Sequence, residues 1–346
     1  MKKIINYCLL TMPFLWIGCK DSGSYKPNIT GKMGEVMIVM DEKTKKSAGG
    51  EYLIEMFKQE MQGLPQIESI FDLSVIPPTI LSDHMKTWRN MLIVTISPDV
   101  ETEGVMYYTD NAWAKEQALM RIEAKNYDTF QQLVEKYEVR ILGFFMSAER
   151  NRILTFNRQY PNVQLMDDVK NTWGFEVGIP NGYRKNKPRT DKNFRWFSQE
   201  SSSTSEALMI YSFEYIGEGT FSREYLLNKR DSVLRVNVPG AVDGSYMATE
   251  LNLPVTYKSI TINGHQAVEL RGLWKVVGDL MGGSFVMYAH HDKKNNRVIV
   301  TDGYVYAPEK PNKRNLVWQV ESLHYSVKFA GDKEVKSEEL KGNSEE

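Results

Sequence analysis

Lys258-Ser-Ile-Thr-Ile-Asn-Gly-His-Gln-Ala-Val-Glu-Leu-Arg-Gly-Leu-Trp-Lys-Val-Val277 decides the fold of this chain. Asn263-Gly264 is the turn pair that tolerates the positive φ angles of a tight hairpin, so Lys258–Ile262 and Gln266–Val277 read as antiparallel neighbours. The same grammar continues outward. Gly282-Gly283 leads into a strand at Ser284–His291, and Asp292–Asn296 turns into another at Arg297–Ala307. A final helix is predicted from about Asn315 to Phe329, with Leu316, Val320, Leu323 and Val327 on one face. On the other side of the hairpin, Phe175–Ile179, Phe194–Ser198 and Ala207–Tyr215 read as further antiparallel strands. The Ser201–Ser205 run is a loop between two of them. A helix over Arg223–Val236 is capped by Thr220 or Ser222 and stopped by Pro239-Gly240.

The first half has a different texture. Glu35–Met40 and Met91–Ile96 are apolar on both faces, as in buried central strands. Helix is predicted over Glu51–Gln62 with Gly63 as its C-cap, and strand over Phe71–Ile76 ahead of Pro77-Pro78. Residues 117–124 alternate as a strand does, although Asn111–Ala124 as a whole also contains strong helix formers. Asp128 caps a long helical region from Thr129 to about Tyr160, which Gly143 interrupts. Together these elements predict an α+β chain: two αβ halves, mostly antiparallel sheets each covered by helices, and no doubly wound sheet.

Lys2 and Lys3, the apolar run from Ile4 to Phe14, and Leu15-Trp16-Ile17-Gly18 before Cys19 have the layout of a secretory leader, too short to span a bilayer. A small residue followed by Cys is the pattern of a bacterial lipobox, with Trp16 where a Leu is usual. An ordinary signal peptide and a buried N-terminal helix are the other readings. The resulting division is a signal peptide at 1–18, a lipidated tether at 19–27, an N-terminal αβ domain at 28–168, a C-terminal antiparallel α+β domain at 169–330, and a disordered charged tail at 331–346. The expected location is the cell envelope, in the outer membrane, with acyl chains such as palmitate on Cys19 as the attachment. One chain holds weakly and two or more hold firmly.

Composition excludes several classes. The formal net charge is -1, and losing Lys2 and Lys3 with the leader leaves 41 basic residues against 44 acidic. No basic excess exists to grip a nucleic acid or, by charge alone, a membrane surface. Cys8 and Cys19 are the two cysteines, so the body beyond Cys19 offers no thiol nucleophile, no Cys-ligated zinc and no disulfide.

Trp88-Arg89-Asn90-Met91-Leu92, Trp113-Ala114-Lys115, Arg230-Asp231-Ser232-Val233-Leu234, Pro239-Gly240, Gly244-Ser245-Tyr246-Met247, Arg271-Gly272-Leu273-Trp274 and Met281-Gly282-Gly283-Ser284-Phe285-Val286 resemble a lipoprotein family of Bacteroidetes-type bacteria, the domain of unknown function 4837. They spread over about residues 30–330. The family commonly has Pro where Glu116 and Ser284 stand here. The resemblance implies no activity, cofactor or catalytic residue. Residues 173–329 also resemble, in element order, the photosystem II subunit P type of sandwich, whose domains act mainly as adaptors; this is a fold-level analogy.

Candidate chemistry is sparse. Gly217-Glu218-Gly219 imitates the start of a dinucleotide fingerprint, but Glu218 would bring a carboxylate to a phosphate, and a glycine-bearing turn is the simpler reading. His290 and His291 are adjacent on a strand and point to opposite faces. His84, His265 and His324 are scattered, so no metal site and no cofactor are expected. Asp243, Ser245 and His265 could compose a nucleophilic triad, yet Asp243-Gly244-Ser245 reads as a turn. The remaining constellation is Arg230, Asp231, Arg235, Tyr246, Arg271 and Trp274. These residue types make interface hot spots and line glycan or peptide clefts; alternatively they form a helix–sheet ion pair with core aromatics. Trp88, Trp113 and Trp173 read as core or rim residues. The expectation is a non-enzymatic, lipid-anchored module that binds an envelope protein or glycan, with an envelope hydrolase or carbohydrate-binding protein carrying a cleft between the halves as the alternative.

Overall fold

The structure is a computed structural model and describes residues 26–108, 112–187, 193–330 and 332. The expected leader, Cys19 and most of the expected charged tail lie outside the described residues. The first half runs β1 (Glu35–Val39), α1 (Glu42–Lys45), α2 (Ala48–Phe57), β2 (Asp72–Ile76), β3 (Asn90–Ile96), β4 (Gly104–Tyr108), β5 (Ala118–Ala124) and α3 (Tyr127–Gln159). The second runs α4 (Val163–Trp173), β6 (Arg184–Lys185), β7 (Phe194–Glu200), β8 (Ser205–Glu214), α5 (Arg223–Asn237), β9 (Tyr246–Thr249), β10 (Thr256–Ile262), β11 (His265–Val277), β12 (Gly282–Asp292), β13 (Arg297–Tyr306) and α6 (Arg314–His324).

The α+β class holds, and the second sheet is antiparallel throughout, in the order β10-β11-β12-β13-β8-β7-β6 with β9 added on β11. Asn263 and Gly264 take φ angles of 50° and 80°, the left-handed pair that a tight hairpin needs. The first sheet corrects the expectation. Its order is β2-β1-β3-β5-β4, and β1 pairs parallel with β2 and β3, as β3 does with β5; β4 alone is antiparallel. The cause is visible in β1, where Val36, Met37, Ile38 and Val39 are all buried, so both faces need cover and α1 and α2 serve as the crossover to β2. Helices α2 and α3 cover one face. On the other, Met85, Trp88 and Trp113 from loops close over Met37, Val39, Met91 and Leu119.

Other boundaries shift for local reasons. Asn126, not Asp128, caps α3 by accepting from the Thr129 N–H at 2.9 Å, and the helix continues through Gly143. α2 stops at Phe57, before Gly63, which sits in a following turn. α4 is an addition, capped by Asn162 and ended at Gly174 in the left-handed conformation. Phe175–Ile179 joins no strand; it makes single bridges through Glu176 to Lys328 and is buried below α4 through Phe175, Val177 and Ile179. α6 ends at His324 because the chain there turns to meet Glu176 and the hairpin, where Asn263 Nδ2 donates to the Val327 carbonyl at 2.7 Å. At the start of the described residues the Lys115 N–H donates to the Pro27 carbonyl at 2.8 Å.

The second sheet is a filled sandwich. One face, with Leu270, Trp274, Phe285, Met287, Val298 and Val300, packs on Leu226, Leu227 and Leu234 of α5. The other lies under α4 and α6, and its core runs on into the first half. Trp318 of α6 meets Phe71 with ring centroids 5.3 Å apart, and Phe71 meets Phe57 at 5.7 Å and Phe145 at 6.4 Å.

Candidate functional site

Three of the six constellation residues are interior. Arg230, from the middle of α5, has no exposed surface; its Nε donates to Asp302 Oδ2 at 2.8 Å and its Nη1 to Thr249 Oγ1 at 2.9 Å. The guanidinium lies 3.8 Å from the centroid of Phe285, and Asp231 Oδ1 accepts from the Thr249 N–H at 2.8 Å. Burial pushes the Asp302 carboxyl up to about 6 while Arg230 pulls against it. Trp274 is buried with its indole N–H donating to the Val305 carbonyl at 3.3 Å. Arg271 is buried on the opposite face of the sheet. The surface reading of Arg230, Arg271 and Trp274 is therefore overturned in favour of a helix–sheet ion pair with core aromatics. Alternation along β11 sends Arg271 and Trp274 to different faces, so the six residues never form one patch.

Arg271 heads a second polar cluster, beneath α6. Its Nη2 lies 2.9 Å from Glu321 Oε1 and 3.5 Å from Glu269 Oε2. The Tyr288 hydroxyl donates to Glu269 Oε2 at 2.5 Å. Burial works against both charges; Glu321 and Glu269 more than restore that of Arg271, while Arg271 and the Tyr288 hydroxyl hold the Glu269 carboxyl below its usual range. His324 stacks on Tyr288 at 4.6 Å and its Nδ1 lies 2.8 Å from Thr301 Oγ1. Burial drives His324 well below the usual imidazole value and His290 down to about 3, so both rings are neutral at pH 7. Glu321 Oε2 and His324 Nε2 are buried without a hydrogen-bond partner among the described residues.

This cluster sits where the two halves meet, and the junction is closed. Glu68 of the first half accepts the backbone N–H groups of Lys313 and Arg314 at 2.7 and 3.0 Å, supplying the N-terminal cap that α6 lacks in its own side chains. Arg314 reaches Asp72 Oδ2 at 2.8 Å. Gly34 and Gly63 allow this approach: a Cβ there would come within 2.4 Å of Arg314 Nη2 and 2.5 Å of Arg271 Cγ. The crevice left between α3 and α6, lined by Met146, Arg150, Ile153, Trp318, Glu321 and Ser322, offers about 10 Å³, the room of about one water.

The first half holds a third such cluster. Glu149 of α3 accepts from Asn90 Nδ2 at 2.7 Å and Arg89 Nη2 at 2.6 Å, and Arg152 donates to the Arg89 and Glu116 carbonyls at 2.8 Å each. It ties α3 to the starts of β3 and β5 and is structural.

The other sequence candidates separate. Ser245 donates to the Val242 carbonyl as part of a turn, next to Tyr246, which pairs with Val277 at one end of β11; His265 stands at the other end, 2.7 Å from Asp332. His290 is buried under α6, whereas His291 faces Tyr215 and Phe221 on the far side. Gly217–Gly219 lies in a single 3-10 turn beside an antiparallel strand. No group of three or more His, Cys, Asp or Glu is placed to hold a metal among the described residues. No helix of the described residues is long and apolar enough to cross a membrane.

What reaches the surface is exposed Arg235 and half-buried Tyr246, with the guanidinium 5.0 Å from the ring centroid. They are bordered in the chain by Val236, Val242, Val277 and Leu280, exposed by 47%, 52%, 37% and 103%. Sequence reasoning singled out the pair and missed the apolar residues: Val236 lies in the last turn of α5, Val277 ends β11, and Val242 and Leu280 lie in turns, where exposure is the rule.

Residues 162–326 match the domain of unknown function DUF4837. The resemblance carried by Arg230–Leu234, Gly244–Met247, Arg271–Trp274 and Met281–Val286 therefore stands. Trp88–Leu92 and Trp113–Lys115 fall instead within a match to a second domain of unknown function, DUF8532, over residues 29–157. No curated protein matches the chain. Among solved structures, the Saccharomyces cerevisiae Ran-binding protein Mog1p is 11% identical, with 45% of this chain and 91% of that one covered and a TM-score of 0.28. LpqN, involved in cell envelope biogenesis of Mycobacterium tuberculosis, is 11% identical, with 43% and 78% covered and a TM-score of 0.24.

Proposed function

We propose that the protein is a cell-envelope lipoprotein, held in the outer membrane by acyl chains on Cys19, that serves as a binding module for an envelope protein. The observation that carries the binding role is the surface around Arg235 and Tyr246. An exposed arginine stacks there on a half-buried tyrosine, with Val277 paired beside Tyr246 and exposed Val236, Val242 and Leu280 near in the chain, while the other charged members of the constellation are consumed in holding the fold. An aromatic and an arginine amid apolar contacts are what a partner buries at the centre of an interface. The lipobox-like Leu15–Cys19 supports the anchor. The alternative, a hydrolase or carbohydrate-binding protein with its cleft between the halves, has little support from a junction with room for about one water.

In-cell photocross-linking from Leu280, followed by purification and mass spectrometry, tests the reading. One recurrent envelope protein is expected, lost on Tyr246→Ala in a variant that keeps its melting temperature. A cross-linking pattern that Tyr246→Ala leaves unchanged would refute the surface. Retained acyl labelling in Cys19→Ala would refute the anchor.

A further inference from the structure

The corner where α3 gives way to α4 carries Phe156, Tyr160 and Val163, exposed by 62%, 56% and 60%. The two rings touch, with centroids 5.4 Å apart. α3 starts just past the end of β5, and its Arg152 reaches the carbonyls of Arg89 and Glu116, which precede β3 and β5. The helix thus runs back along the sheet. Phe156 and Tyr160 stand four and eight residues further on, about 6 and 12 Å along the axis, beyond the ends of the strands.

The chain enters at this same end. Asn28 bridges to Lys115, the neighbour of Glu116, and the Pro27 carbonyl accepts from the Lys115 N–H. Six residues lie between Cys19 and Lys26, and the seven steps, fully extended, reach about 25 Å at most. An acyl anchor on Cys19 therefore holds this end of the body within about 25 Å of the bilayer.

We propose that Phe156, Tyr160 and Val163 form a second membrane contact, seated among the headgroups of the leaflet that holds the acyl chains. The inference rests on the Cys19 anchor. The side chains suit the place: aromatic rings, and Tyr in particular, favour the zone where one end of the ring is apolar and the other wet. Arg158, exposed in the same last turns of α3, suits anionic headgroups. Two contacts, lipid and aromatic, hold the body in one orientation where the tether alone would let it swivel.

The test uses the full acylated protein. Its mature form has no cysteine but Cys19, so Phe156→Cys carries a polarity-sensitive dye at one place. Val139→Cys is the control, since Val139 is 84% exposed and lies about 25 Å back along α3. Both proteins are bound to vesicles of phosphatidylethanolamine and phosphatidylglycerol. The dye at position 156 is expected to shift to the blue and to be quenched by spin-labelled lipid, and the dye at 139 to do neither. Phe156→Asp with Tyr160→Asp, both at exposed positions, should speed transfer of the protein between vesicles several-fold. A vesicle-bound protein whose dye at 156 stays in water overturns the contact and leaves the anchor standing, and points to a protein partner for the corner. A protein recovered without acyl chains overturns the anchor, and the contact with it.

Discussion

The two faces of the second sheet are closed in different ways. The α5 face is closed from within: Arg230, Asp302 and Thr249 belong to the same 165-residue match as the helix and strands that they join. The α6 face is closed with borrowed parts. Trp318 packs on Phe71, Glu68 caps α6, and Arg271 lies against Gly63. A helix that is completed from another part of the chain cannot be read as a local object, and the difference says which damage stays local and which spreads.

Arg230→Ala should have the largest effect. It leaves the buried Asp302 carboxylate without its partner and should cost about 3–5 kcal/mol in denaturant unfolding. The faster hydrogen exchange should stay within α5, β9 and β13. Trp318→Ala should cost a similar or slightly smaller amount, about 3–5 kcal/mol for a large core deletion, but exchange should rise in α2 and β2 as well as in α6. A Trp318→Ala protein whose first half is as protected as before would break the comparison.

His324 sharpens it further. Burial holds its pKa well below the unfolded value, so the unfolded chain binds more protons than the folded one as pH falls. The stability this group contributes is complete above about pH 6.5 and is lost progressively below it. Compared with His324→Gln, the parent protein should lose about 1.4 kcal/mol more for each pH unit below about 6. Asp302 titrates in the same range with the opposite sign, so the difference between the two proteins, measured by urea unfolding at several pH values, is the informative quantity. Glu68→Ala is the mildest, about 1 kcal/mol for a lost cap. It should show as fraying of the first turn of α6 with the α5 face unchanged.

Much of this was legible. The Asn263-Gly264 hairpin, the strands on either side of it and β5 follow from turn chemistry and alternation. The parallel pairing of β1 was not legible: its both-face burial suits a parallel sheet, but β12 and β13 are buried on both faces in an antiparallel one. α4 was missed in the sequence, although Asn162, the spacing of Leu165, Val169 and Trp173, and Gly174 mark it. The buried arginines were not legible. Arg230 finds its carboxylate 72 residues away, and nothing near it in the chain distinguishes an interior arginine from a hot-spot one. Arg235 and Tyr246 are a different case: the residue types are informative, but only the fold shows which arginines reach the surface.

The cap on α6 bears on how the chain assembles. Glu68 and Lys313 are 245 residues apart, so the last helix waits for a loop near the other end of the chain. Contacts of such separation are made late, after the entropy of closing a long loop has been met. The first half and the α5 face can form beforehand from shorter-range contacts. Docking of α6 is then the step that commits the molecule, and until it happens Trp318, Phe71 and Tyr288 stand open to aggregation or proteolysis.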